Sequence, residues 1–342
     1  MRKYKKKLVI ILFLALLVII NSILNFILVP STITRVIMHE IESEHDYKYI
    51  FLGTSHGSYG IDSNKVTEVL GSKTMNLCIG GEYLQDSYYL LKRAFETNKP
   101  DTIILDMDFE YLLKGPNSSL SGSSIYNLYP FSINKLSYFK DKVLGLDYRA
   151  AFFPWMDYRD NFSSALSVVK TKMSADYINY SVNAVKMNAN NEYKHNGFLY
   201  RERSTHPKIQ NHLIWDESNV DQKAVQYFNK IVDLCKSNNT KIIMMTTPVP
   251  VEEITYSIDE YEQAYAYVSK LAKANNIEFY NFNLLKESVF QRNIGDYNDY
   301  DGHMYGDTAE RFSEILGRFL KDVQDGQVTL SDYFYDSIKD LQ

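Results

Sequence analysis

Cysteine is scarce: the 342 residues hold two, Cys78 and Cys235, each inside an apolar stretch. That excludes a disulfide-built scaffold and favours two buried free thiols, with a single disulfide as the alternative. Clustered metal ligands are lacking too. The seven histidines are scattered, so neither a metal nor another cofactor is expected. Basic surface is equally short. Lys and Arg total 37 against 42 Asp and Glu, and five of the 37 crowd into the first seven residues. Residues 8–342 therefore carry a net charge of −10 with no basic stripe, which argues against nucleic acid as a partner.

Long apolar runs are also rare, with one exception. Leu8 to Val29 passes 22 residues without a charge. That length spans a bilayer core of about 30 Å. Basic residues precede it (Arg2, Lys3, Lys5, Lys6, Lys7) and acidic ones follow (Glu40, Glu42, Glu44, Asp46). This asymmetry predicts a single-pass protein of the cell membrane, contacting membrane lipid through its anchor. The N-terminus would be cytosolic and the rest extracytoplasmic. A cleaved signal peptide is the competing reading, but no small-x-small cleavage site follows the run. Asn21, Ser22 and Asn25 interrupt the run and read as tolerated polar residues rather than helix–helix contacts. The expected organisation is a cytosolic tail (1–7), a transmembrane anchor (8–29), a linker or short amphipathic helix (30–46), a folded domain (47–325) and a C-terminal tail (326–342).

Past the anchor, short apolar runs alternate with helical periodicity. Strands are predicted at 48–52, 74–79, 102–106, 241–246 and 277–280, and helices at 83–97, 222–237, 258–274 and 308–322. Continuous apolar strands between amphipathic helices define an α/β fold with a parallel sheet covered on both faces. Aromatics make up 14% of the chain, including 28 Tyr, so a sizeable core is available. Residues 110–220 break the alternation. They are rich in Tyr, Phe, Asn and Ser and read as a mostly helical insertion over the carboxyl edge of the sheet. Such an insertion would shape a substrate pocket or dock a partner.

The first strand breaks into Gly53-Thr54-Ser55-His56-Gly57. A glycine-flanked serine at the carboxyl end of a parallel sheet is how α/β enzymes present a nucleophile. Serine needs a base within hydrogen-bond reach, and the base needs an orienting acid. Far downstream, Asp299-Tyr300-Asp301-Gly302-His303 offers both. Backbone N–H groups must meet the developing oxyanion; those of Ser55 and Gly80, or its neighbour Gly81, are candidates. As an alternative, Ser55 could cap the next helix. His56 could bond within the turn, and Asp106 and Asp108 could be solvated strand ends or contacts for substrate hydroxyls. Trp155 with Arg159 could form a sugar platform, although core packing is the simpler role for Trp155. His195, His206 and His212 receive no role.

Ile50-Phe51-Leu52-Gly53-Thr54-Ser55-His56 resembles the first block of the SGNH (GDSL-like) hydrolases and acyltransferases. Asn76-Leu77-Cys78-Ile79-Gly80-Gly81 resembles the second, where a glycine N–H joins the oxyanion hole. Asp301-Gly302-His303-Met304, leading into residues 306–313, resembles the last, which carries the catalytic acid and histidine. The resemblance covers roughly residues 47–322 apart from the insertion. It implies a flavodoxin-like three-layer parallel sheet with Ser55, His303 and Asp301 as catalytic residues and Ser55 and Gly80 in the oxyanion hole. The substrate-binding residues stay unassigned. Two departures stand out. The family's acid lies three residues before the histidine, where this chain has Tyr300; Asp301 is taken as the acid, with Asp299 as its substitute. The family's third-block asparagine has no counterpart in Thr246-Thr247-Pro248-Val249-Pro250.

Membrane-anchored relatives of this layout act in acyl transfer at the cell envelope. They include the teichoic-acid D-alanine transfer protein and the O-acetylation proteins of exported polysaccharides, often paired with a multi-span membrane O-acyltransferase. The resemblance thus implies a serine O-acyltransferase or esterase acting on an envelope polysaccharide or polymer, acetyl being the expected acyl group. The alternative is a degenerate scaffold that binds polymer or partners such a membrane acyltransferase.

Overall fold

A computed structural model of the chain describes residues 2–113, 123–146, 148–206, 208 and 212–341. Five strands form one parallel sheet: β1 (Tyr49–Leu52), β2 (Thr74–Asn76), β3 (Thr102–Asp106), β4 (Lys241–Thr246) and β5 (Glu278–Asn281). Their order is β2-β1-β3-β4-β5. Pairing is in step: Ile50 opposes Met75 and Ile103, and Ile103 opposes Ile242. This is the flavodoxin-like order of a doubly wound sheet, as expected. The β2 ladder runs past its assigned end, because Leu77 and Ile79 N–H donate to Phe51 and Gly53 carbonyls at 2.8 and 3.0 Å.

Alternation along the strands fixes the layers. Tyr49, Phe51, Ile104, Ile243 and Met245 share a core with Val66, Leu70, Phe312, Leu316 and Phe319. These come from helices Ser63–Leu70 and Gly306–Gln324. The alternate set, Ile50, Leu52, Ile103, Leu105 and Met244, is buried as well, and helices Leu84–Thr97 and Gln222–Ser237 pack together beyond it. Both cysteines are buried free thiols, as their apolar surroundings suggested.

The chain divides into two compact units. The sheet belongs to the unit made of Ile37–Pro116 and Met187–Gln342. The other joins Met1–Val36 to Asn117–Lys186. Residues 110–220 therefore do not form one insertion. Within the sheet unit they include a feature the sequence did not suggest, an antiparallel hairpin of Asn191–Tyr193 and Leu199–Arg201. Its turn places His195, Asn196 and Gly197 at positive φ (68, 49 and 88°) and lies on edge strand β2, where Asn196 O accepts from Asn76 N–H at 2.9 Å. Among the described residues of the other unit, one helix, Tyr4–Leu28, is long and apolar enough to cross a membrane.

Candidate active site

Ser55 follows β1 directly and opens the short helix Ser55–Gly60. Thr54, not Ser55, is the N-cap; its Oγ1 accepts from His56 N–H. The capping reading of Ser55 is therefore set aside. At the first helical position the Ser55 N–H has no intrahelical acceptor, so it is free to meet a ligand. Gly80 sits beside it: a Cβ there would stand 3.4 Å from Ser55 Cβ. Close packing beneath the turn requires its glycines. A Cβ on Gly53 would meet Asp106 Cβ and Cys78 Sγ at 2.9 Å, and one on Gly57 would meet Cys78 Sγ at 2.4 Å.

His303 reaches this turn from the far end of the sheet unit. Its Nε2 lies 2.8 Å from Ser55 Oγ. Its Nδ1 lies 2.9 and 3.0 Å from the two carboxylate oxygens of Asp299. The acid facing His303 is thus Asp299 and not Asp301, which corrects the expectation. Loop closure supplies the reason. A bridge between Tyr297 and Met304 pinches the segment, and the N–H groups of Gly302 and His303 both donate to Asp299 Oδ1 at 3.2 Å. Gly302 allows this turn with φ of 111°, a backbone state that L side chains rarely adopt. The carboxylate is thereby folded under the ring four residues on. Burial opposes charge on Asp299, but hydrogen bonds from His303 and Asn298 outweigh it and hold the carboxyl well below its usual range.

Asp301 faces another histidine. His56 Nδ1 lies 2.9 Å from Asp108, and its Nε2 lies 3.9 Å from Asp301. Burial alone would push the His56 imidazole down; the two carboxylates reverse this and raise it, with Asp108 the stronger influence. The nearby His56 in turn lowers Asp301. The His56 and His303 rings meet edge to face at 5.1 Å. Asp106 and Asp108 are not solvated strand ends: both are buried, and Asp106 accepts from Thr247 N–H and Oγ1 at 2.8 Å. The His56–Asp108 pair was missed in the sequence, although a histidine beside the nucleophile and an acid after β3 were both visible there.

A cleft of about 150 Å³ opens at this point, lined by Ser55, His56, Gly81, Glu82, Asp108 and Asp301. An adjoining space of about 280 Å³ continues past Tyr300, His212 and Glu253. His56, Asp301 and His303 bring one ligand atom each within 4.8 Å of one another. A metal would have to displace Ser55 from His303 and a proton from His56, whose two carboxylate neighbours favour its charged, non-ligating form. Trp155 lies in the other unit. It is half-buried there, bonded to Asn21 and Asn25.

Everything converges at the carboxyl ends of β1, β2 and β3, where the strand order reverses between β1 and β3; open α/β sheets bind ligands at such switch points. Fold and site together define a doubly wound α/β protein with a serine–histidine–aspartate constellation. No protein-family model and no curated protein matches the chain. Among solved structures it is similar to a "putative acylhydrolase" of Bacteroides fragilis, with TM-score 0.38 and 10% identity over 81% of this chain and 88% of that one. It is also similar to a GDSL-like lipase of Bacteroides thetaiotaomicron, with TM-score 0.36 and 10% identity over 82% and 89%. At these scores the likeness carries no argument about chemistry; the geometry at Ser55 does.

Proposed function

We propose that the chain is a serine-dependent acyl-transfer enzyme working through an acyl-serine intermediate. The observation that carries this reading is the continuous chain from Ser55 Oγ to His303 Nε2 and from His303 Nδ1 to Asp299, with contacts of 2.8 and 2.9 Å. With Asp299 holding the proton on Nδ1, Nε2 accepts from the serine hydroxyl. Ser55 Oγ attacks the acyl carbonyl carbon and its proton passes to Nε2. The ionised Asp299 stabilises the resulting imidazolium. The N–H groups of Ser55 and Gly80 are assigned to the oxyanion. Collapse of the tetrahedral species breaks the ester bond, and the departing alcohol takes the proton back from Nε2. Water or a second hydroxyl then repeats the sequence on the acyl-serine.

Localisation and acceptor belong to the same proposal. The apolar N-terminal helix and its basic start support a single-pass anchor with the site outside the membrane. An envelope polysaccharide or polymer is then the acceptor within reach, and a multi-span membrane O-acyltransferase is a fitting source of acyl groups.

The test is intact-mass spectrometry of the full-length protein after exposure to an activated acetyl ester and, separately, to a fluorophosphonate. Wild type should gain one adduct on Ser55. Ser55→Ala should gain none, and His303→Ala should react slower by at least about 10³-fold. An adduct of equal yield in Ser55→Ala would sink the mechanism.

A further inference from the structure

We propose that the segment around Phe152–Met173 is a lipid-facing surface lying in the outer interface of the bilayer, fastened to the last turns of the N-terminal helix. This rests on the single-pass reading above. The helix itself suggests where to look. Residues 4–20 are exposed throughout, and cover begins only at Asn21. What covers the last turns is the stretch Pro154–Ser164 and the helix Ala165–Lys172.

The fastening is polar. Trp155 Nε1 donates to Asn21 Oδ1 at 3.0 Å, and Asn21 Nδ2 donates to Phe152 O at 2.9 Å. Trp155 N–H donates to Asn25 Oδ1 at 3.0 Å, and Lys172 Nζ donates to Asn25 O at 2.8 Å. The two asparagines are therefore contacts between segments and not merely tolerated polar residues. An unpaired amide in hydrocarbon costs several kcal/mol; here both ends of the Asn21 amide are paired by a segment that must accompany the helix.

Depth follows from the helix rise. A core of about 30 Å takes about 20 residues at roughly 1.5 Å each, which Leu8 to Ile27 supply. Asn21 then lies about 9 Å inside the outer boundary, within the roughly 5–10 Å that interfacial segments bury. The segment tied to it is apolar where it is open. Phe152, Phe162, Leu166 and Met173 are 55, 61, 78 and 71% exposed. Phe162, Leu166 and Met173, with Val169 half-buried among them, follow the spacing of one helical stripe. In water such a stripe is an aggregation hazard; beside a spanning helix it is a second foot in the membrane. Trp155 at its centre suits an interface, where indole rings concentrate.

Trp155 also reports on the idea, since Trp215 is the only other tryptophan. The full-length protein would be reconstituted in phosphatidylcholine vesicles whose acyl chains are brominated near the glycerol end or near the methyl end. Trp155 emission is obtained as wild type minus W155F, and directly in W215F. We expect Trp155 to be quenched more strongly by the shallow bromines than by the deep ones, and Trp215 by neither. Trp155 quenched no more than Trp215, in protein that resists carbonate extraction, would overturn the inference and leave the anchor standing. Protein that carbonate extracts would overturn the anchor and this inference together. Blue-shifted Trp155 emission beyond the reach of both bromine sets would assign the surface to a protein neighbour, and would overturn the lipid reading.

Discussion

Asp299 and Asp301 are two residues apart, yet the loop sends them to different histidines. The histidine and serine were legible because each sits at the end of a recognisable block. The acid was not, because linear spacing says nothing of how a loop closes. Two backbone N–H groups and Gly302 decide that Asp299 turns under His303. Losing the orienting carboxylate of a serine triad lowers kcat by about 10⁴-fold, so Asp299→Asn should fall by roughly 10³–10⁴ in acyl turnover. Asp301→Asn alters a partly exposed contact worth about 1 kcal/mol and should fall by under about tenfold. The opposite ranking in steady-state ester hydrolysis would restore Asp301 as the acid. Asp106 offers a separate test in stability. Burial raises its carboxyl from 3.8 to about 6, against the pull of the Thr247 hydrogen bonds. A folded-state value above the unfolded one means the protonated form favours the fold. That contribution is whole below about pH 4 and is lost as the pH rises through about 6. Asp106→Asn stays neutral, so it should match wild type near pH 4 and exceed it by roughly 1–3 kcal/mol at pH 8. Urea midpoints at the two pH values check this, and equal differences at both would count against it.

Strands were the most legible elements, because β1, β3 and β4 are buried on both faces and therefore read as unbroken apolar runs. The long helices were legible from their period. Two kinds of element escaped. Helices Ser55–Gly60 and Ser63–Leu70 are too short for a clear stripe, and Gly57 and Gly60 weaken the local helical signal. The hairpin at 191–201 is held by contacts distant in sequence, as where Asn64 Nδ2 donates to Lys194 O and Ser63 Oγ to Asn196 O. The first of these helices carries a prediction of its own. Gly57→Ala drives a methyl toward Cys78 Sγ, where an unrelaxed Cβ would stand at 2.4 Å. Overpacking of this kind costs roughly 1–3 kcal/mol. Moving the helix also moves Ser55, so fluorophosphonate labelling should slow alongside the loss of thermal stability. Cys78→Ala opens the space where the sulfur was. In the double variant Gly57→Ala/Cys78→Ala the two losses should therefore be less than additive. Strict additivity of the melting shifts would mean that the clash is absorbed elsewhere.

At the scale of the whole chain, the boundary between the apolar helix and the folded remainder is not a point at residue 30. Composition draws the line there, because charge returns after Val29. The fold draws it otherwise: Met1–Val36 and Asn117–Lys186 make one compact unit, while the sheet and the serine site lie wholly in the other. Sequence could not show this, since the bonds from Asn21 and Asn25 to Trp155 join residues some 130 apart. A protein cut to residues 31–342 therefore loses the long helix of one unit and nothing of the other. Removing the helix strips Trp155, Phe152 and Lys172 of their partners. It also uncovers the parts of Pro154–Ser164 and Ala165–Lys172 that had packed on the helix. The sheet unit keeps its core, its hydrogen bonds and the Ser55–His303–Asp299 chain. Limited trypsin digestion followed by mass spectrometry should thus cut the truncated protein faster at Lys140, Lys142, Arg149, Arg159, Lys170 and Lys172 than full-length protein in detergent. Sites in Lys223–Lys236 should stay equally protected in both, because their helix packs within the sheet unit. Fluorophosphonate should label Ser55 at the same rate in the two forms. Equal protection of 140–172 in both would mean that this segment folds without the helix. A lost serine reaction with protection intact would mean that the site depends on the unit that holds the helix.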